Sequence, residues 1–158
     1  MSKENVELVK ALQPTAVDLV ELFTGENAAE TPLLRAAPDL FEDGFEVSWI
    51  AGDEQRIDHR GLEGLLAGWR DWLTPWKSYW MDSEEFFDAG DDVVVFVRVE
   101  ARTTHDDVLV RHTPAAVWSI RGGKVVAIRF HLERDEALRA AGLPKSAAGE
   151  RSDPQISR

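Results

Sequence analysis

The segment VVVFVRVEARTTH, residues 93–105, decides how this chain folds. It opens as a continuous apolar run and then alternates. Val97, Val99 and Ala101 fall on one face of a strand, and Arg98, Glu100 and Arg102 on the other. Whether the charged face meets bulk water or lines a cavity depends on how the strand pairs, because a slip of one residue exchanges the two faces.

The neighbouring segments share its period of two. YWMDSEEFFD precedes it through the turn AGDD, HDD turns into VLVRHTPAAVWSI, and RGG turns into KVVAIRFHL. Apolar alternation broken by Gly and Asp turns predicts consecutive antiparallel strands over residues 79–88, 92–105, 108–121 and 124–132. FEVSWI adds a strand at 45–50, and AGDEQRIDHR, residues 51–60, reads as a polar loop. The remaining segments have a helical period. They predict helices over 3–23, interrupted at Pro14, over 31–41 and over 61–74, and a last short one in ERDEALRAAGL. Helices followed by a strand meander indicate an α+β fold, a curved antiparallel sheet with helices packed on its concave face. The domain spans residues 1–143, and the polar tail at 144–158 is expected to be disordered.

Registers follow from the turns. Read as a three-residue loop with a glycine bulge, RGG pairs Ile120 with Lys124 and gathers Trp118, Ile128 and Phe130 on one face. A three-residue loop of His105, Asp106 and Asp107 sets Glu100 opposite His112, Arg98 opposite Pro114 and Phe96 opposite Ala116. Arg98, Glu100 and His112 would then share the inner face with Trp118 and Phe130. Val95, Val97, Val99, Ala115, Val117, Val125 and Ala127 would form a second apolar face, for which a second copy of the chain is the expected cover, giving a homodimer.

The sequence resembles a known family. MSKENVELVKAL with VDLVELF, RGLEG before the long helix, EEFFDAGDDVVVFVRVEAR and VWSIRGGKVVAIRFHLERDEALRAAGL together are similar to the SnoaL-like polyketide-cyclase domain of the nuclear-transport-factor-2-like superfamily. The resemblance covers residues 1–143 and implies a cone-shaped α+β fold. That fold hosts isomerases, dehydratases, epoxide hydrolases, cyclases and proteins without catalysis. Arg98-Val99-Glu100 stands where epoxide-hydrolase-like members carry Arg-x-Asp. Phe130 stands where they, and the cyclases, carry a further Asp, and Ser48 lies near the base of ketosteroid-isomerase-like members.

Two constellations bear on function. Leu65, Trp69, Trp72 and Trp76 form one helical stripe, which serves as core and as an aromatic pocket wall, and Trp49 adds to it. Glu100, His112 and Arg98 form the candidate catalytic group. Glu100 would favour protonated His112, the pair would move a proton, and Arg98 would hold developing negative charge. Trp49, Trp69, Trp72, Trp118, Phe96, Ile128 and Phe130 are the candidate substrate-binding residues. The expected ligand is a small apolar or oxygenated molecule, acted on by a cofactor-free isomerase, cyclase, dehydratase or hydrolase, or held by a noncatalytic binding domain or dimeric accessory domain of the same fold.

Composition excludes other classes. A net charge of −11 repels phosphate backbones and anionic lipid, so neither nucleic acid nor a membrane is an expected partner. Without cysteine there is no thiol chemistry and no Cys-ligated zinc. The four histidines lack metal-ligand spacing, and no glycine motif suits a phosphate, so neither metal nor cofactor is expected. The charged start MSKENVELVK has no apolar leader, so a cytoplasmic location is expected.

Overall fold

The structure, a computed structural model, describes residues 2–24, 35, 38–52 and 55–144. Residues 145–158 of the expected tail, and most of the expected helix at 31–41, lie outside the described residues. Within them the chain runs α1 (Ser2–Leu12), β1 (Val17–Asp18), α2 (Leu19–Thr24), β2 (Phe41–Ala51), β3 (Gln55–Arg60), α3 (Gly61–Leu73), β4 (Trp76–Ala89), β5 (Asp92–Thr103), β6 (Leu109–His112), β7 (Ala115–Arg121), β8 (Lys124–His131) and α4 (Arg134–Ala140). One sheet orders the strands β1-β4-β5-β7-β8-β2-β3, with β6 also paired to β5. All pairs are antiparallel except β2 with β8. The α+β cone fold expected from the sequence is therefore present.

Three local departures have physical causes. The expected loop at 51–60 is mostly the edge strand β3, whose residues are exposed apart from half-buried His59. An edge strand that meets water on both faces carries no apolar alternation to read. The expected strand at 108–121 breaks at Thr113-Pro114, and the Pro114 carbonyl accepts the Val97 N–H at 3.0 Å. Proline has no N–H to give the ladder, so the pairing lapses there. The helix restarting after Pro14 begins only at Leu19. Asp18 Oδ1 accepts the Val20 N–H at 3.0 Å as its N-cap, and also the Tyr79 N–H at 2.9 Å.

The registers carry a correction. At the β7–β8 turn, Arg121 pairs with Lys124 across Gly122 and Gly123, both at positive φ. That is a two-residue primed turn rather than the expected bulged loop. A bulge falls instead between the Ser119–Ala127 and Ile120–Val125 pairs. The two differences cancel beyond the bulge, so Trp118, paired with Ile128, keeps it on the same face as Ala116 and Phe130.

At the β5–β6 turn nothing cancels. Thr103 and Val108 exchange two hydrogen bonds, so the loop holds four residues, Thr104 to Asp107, not three. Asp107 sits at φ 55, a left-handed conformation that Asp tolerates better than most residues. The extra residue pairs Val99 with His112, Glu100 with Arg111 and Phe96 with Ala115. The faces of β5 are thus the reverse of the expected ones. Val95, Val97 and Val99 point inward, with Val125, into the main core against Val9, Leu12, Leu19, Phe23, Leu65 and Trp69 from the helices. Phe96, Arg98 and Glu100 point outward.

The outer face is covered within one chain. Phe87, Val94, Phe96, Ala115 and Val117 pack under Ala137 and Leu138 of α4. Arg134 fixes this helix. It donates to Glu84 at 2.6 Å and to the Val97 carbonyl at 2.9 Å, and lies 4.4 Å from the centroid of the Phe96 ring. The bare apolar face on which the homodimer expectation rested is absent from the described residues, because four of its seven residues, Val95, Val97, Val99 and Val125, are core and α4 shields Ala115 and Val117.

This register makes adjacent residues of β5 unequal. Val97→Asp places a charge in the core and should cost more than about 3 kcal/mol of stability, whereas Arg98→Ala should cost less than about 1 kcal/mol. Urea unfolding of both variants checks this, and the opposite order would contradict the register.

Candidate functional site

The inner face of the sheet and helix α3 enclose a slot walled by aromatic rings. Along α3 the residues Leu65, Trp69 and Leu73 recur every fourth position and are buried, while Trp72 is half-buried beside them. Trp69 stacks on Phe23 with centroids 5.5 Å apart, and meets Trp49 at 5.7 Å and Phe130 at 5.0 Å edge-on. Trp49 and Phe130 are paired residues of the parallel strands β2 and β8, with ring centroids 5.2 Å apart. Gly68 makes room for this arrangement. A Cβ there would collide with the six-membered ring of Trp49. The slot is narrow between its rings, and only when the open solvent at its mouth is counted does the space reach about 420 Å³. Besides these rings it is lined by Gln13, Tyr79, Met81, Val97, Pro114 and Ala116, with Ile50, Ala115, His131 and Leu132. A smaller space of about 280 Å³ shares Gln13, Trp69, Met81 and Phe130 with it and reaches Trp118 and Ile128.

Among the described residues no carboxylate lines the slot. Its hydrogen-bonded polar groups lie in two places, and the Trp49 Nε1 hydrogen in its wall has no partner among the described residues. At one, Gln13 Oε1 accepts the Trp118 Nε1 hydrogen at 2.9 Å, tying the end of α1 to the sheet. At the other, Tyr79 of β4 presents its hydroxyl to two partners. Trp72 Nε1 donates to it at 3.0 Å, and it lies 3.2 Å from His112 Nε2. The Asp18 carboxylate that caps α2 also holds the Tyr79 backbone in place. Burial pushes the Tyr79 phenol up to about 12, a shift that the Trp72 hydrogen bond partly opposes. Burial also lowers the pKa of His112 from its usual 6.5.

The candidate catalytic residues do not converge. Arg98 lies on the outer face, half exposed, between Asp82 at 3.2 Å and Glu84 at 3.1 Å. Glu100 pairs there with Arg111 at 3.2 Å, not with His112. His112 alone faces inward, so its expected rise in pKa through Glu100 is replaced by a fall through burial. Of the candidate substrate-binding residues, Trp49, Trp69, Trp72 and Phe130 line the slot, and Trp118 and Ile128 line the smaller space. Phe96 is on the outer face under α4. These displacements follow from the one extra loop residue, since Phe96, Arg98 and Glu100 share a parity.

Tyr79 and Gln13 were missed by the sequence reading. Tyr79 carried a readable signal. It is the single tyrosine of the chain, at the start of a strand whose inward positions alternate with it. Gln13 follows a helix and precedes a proline, and nothing in its position marks it as buried. Ser48 lies on the face opposite Trp49, where its hydroxyl donates to Asp58 at 2.5 Å. That bond and then Arg56 hold the Asp58 carboxyl below the usual range. No three His, Asp or Glu side chains among the described residues converge as metal ligands would. No helix among them is long and apolar enough to cross a membrane.

His131 borders the slot from the opposite face of β8 and is a buried titratable group outside the slot's hydrogen-bond chain. It is 5% exposed, and neither ring nitrogen has a partner. Burial, then the charges of Arg129 and Arg56, push its pKa down to about 4 from 6.5. The unfolded chain therefore binds this proton more tightly than the folded one. The stabilisation is complete above about pH 6.5 and is lost as pH falls toward about 4. Between about pH 7.5 and 5, the wild type should lose about 2 kcal/mol more stability than His131→Gln. Urea unfolding at the two pH values checks this, and equal losses would contradict it.

No protein-family model matches the sequence, and no curated protein matches it. Solved structures do match in fold. A protein of ketosteroid-isomerase-like fold from Catenulispora acidiphila, in complex with trimethylamine, is 16% identical, with a TM-score of 0.55 over 87% of this chain and 94% of its own. An NTF2-like protein from Burkholderia xenovorans is 20% identical, with a TM-score of 0.54 over 89% and 98%. A provisionally assigned SnoaL-like polyketide cyclase from Jannaschia is 18% identical, with a TM-score of 0.52 over 80% and 90%. At these identities the likeness concerns the fold.

Proposed function

We propose that this protein binds a small, flat, mostly apolar molecule in the slot between α3 and the inner face of the sheet. The observation that carries the reading is the wall itself. Five aromatic side chains, Trp49, Trp69, Trp72, Tyr79 and Phe130, surround one space that opens to solvent. Apolar walls with a few placed polar groups are the usual composition of a small-molecule site. Ring planes crossing at 89° and 64° around Trp69 offer both faces and edges to a planar guest.

A second reading, acid–base catalysis on the same guest, is favoured by the contact between Tyr79 and His112. A neutral imidazole beside a phenol that keeps its proton can accept and return a proton near an apolar substrate. Under this reading His112 acts without Glu100 or Arg98, both of which lie on the outer face. His112→Gln would then abolish turnover and leave binding in place.

Naphthalene tests the binding reading, because it offers ring surface and no polar group. It should quench tryptophan fluorescence saturably at one molecule per chain. Ala116→Leu fills the slot from the sheet and should weaken the binding at least about tenfold, with a loss of about 1–3 kcal/mol in stability. Absence of saturable quenching, or quenching unchanged in folded Ala116→Leu, would contradict the reading.

A further inference from the structure

The outer face of the sheet carries a second hollow, beside the last turn of α4 and open to solvent. Its floor is one row across three strands. Arg56 of β3 pairs with Ile50 of β2, and Ile50 pairs with His131 of β8, so the three side chains stand in line on that face. Neighbouring strands lie about 4.8 Å apart, which sets the backbones of Arg56 and His131 about 10 Å from each other, on either side of Ile50. Glu136, Arg139 and Ala140, three and four residues apart on α4, form the wall. In a chain of net charge −11, this hollow gathers two arginines and a histidine against one glutamate.

The donors of this cluster are largely unspent. Arg56 gives its Nε hydrogen to Asp58 at 2.9 Å, and its two terminal nitrogens donate to no group among the described residues. The Arg139 guanidinium has neither a hydrogen bond nor an ion pair among them. His131 is buried in the floor, 5% exposed, with both ring nitrogens unpartnered. The positive field of the place is felt there, since the charges of Arg129 and Arg56 add to burial in holding its pKa down to about 4. A guanidinium keeps its charge across the working pH range and presents a planar fork that matches a carboxylate. Ile50 and Ala140 add apolar surface beside the forks.

We propose that this hollow binds a small organic carboxylate, with its charged end on Arg56 and Arg139 and its hydrocarbon on Ile50 and Ala140. The imidazole nitrogens of His131 are closed off from water, so the guest rests over this ring without bonding to it. Glu136 opposes the guest and sets an upper limit on its affinity. The site lies on the opposite face of the sheet from the slot and does not depend on what the slot holds.

Isobutyrate tests this on the full chain at neutral pH, followed through backbone amide shifts in heteronuclear NMR spectra. It should bind saturably at one molecule per chain and move the amides of Ile50, His131, Arg139 and Ala140. Isobutyramide, its uncharged counterpart, and sulfate, which lacks the hydrocarbon, should each bind at least about fivefold more weakly. Arg56→Gln and Arg139→Gln should each weaken isobutyrate at least about fivefold. Glu136→Gln removes the opposing charge and should tighten it at least about twofold. That gain separates the proposal from a merely damaged surface, because local unfolding only weakens binding. Equal binding of isobutyramide or sulfate, affinity unchanged in folded Arg139→Gln, or shifts at Trp69 and Tyr79 in place of those in the hollow would overturn the proposal.

Discussion

The length of one loop governs the rest of the structure. Strand β5 is central in the sheet and pairs with β4, β6 and β7, so its orientation dictates which side chains form the core. That orientation is set where Asp107 adopts φ 55 and lengthens the β5–β6 loop to four residues. The Asp107 carboxylate pairs with Lys77 at 2.9 Å and Arg102 at 3.6 Å, which holds its pKa below the usual carboxylate range. Surface pairs of this kind contribute little energy. Their effect here is geometric, since they anchor the loop in the form that turns Val95, Val97 and Val99 inward. Burial of those valines on one face and of Phe96 under α4 on the other then stabilises the chosen register far more than the loop does.

The same constraint decides the chemistry. With Arg98 and Glu100 turned outward, they join a band of charges with Asp82, Glu84, Arg111 and Arg134 that seats α4 and faces water. The slot is left with rings, Gln13 and the hydroxyl of Tyr79. Carboxylate-driven acid–base chemistry has no carboxylate to use on that side among the described residues. A neutral imidazole reached through a phenol remains. Such a pair recognises polar groups more readily than it ionises them, because both members are held away from their charged forms by burial.

The fold was legible in the sequence because the strands from β4 onward alternate strongly and the helices carry clean apolar stripes. Leu65, Trp69 and Trp72 at helical spacing revealed the wall of the slot, and FEVSWI and KVVAIRFHL supplied Trp49 and Phe130. The placement of Trp118 with Ile128 came out correctly although its turn was misread, because a bulge at Val126 restored the parity. Neither that bulge nor the four-residue loop has a signature in residue types. HDD suits a three-residue turn as well as it suits the end of a four-residue one. Strand β5 gave no protection against the error, since Val95, Val97 and Val99 alternate with Phe96 and both sets are apolar. Strand β3 escaped notice for the opposite reason. At the sheet edge, QRIDHR buries almost nothing, and Ile57 is 55% exposed.

The chain has no cysteine, so a single introduced thiol reports its own surroundings. The most direct test of the register compares Val97→Cys with Arg98→Cys by the rate of labelling with a thiol reagent in the folded protein. Cys at 98 should react at the rate of an exposed thiol, and Cys at 97 should be protected until the protein unfolds. Fast labelling at 97 with protection at 98 would put Arg98 and Glu100 back inside the cone and would contradict this account of the slot.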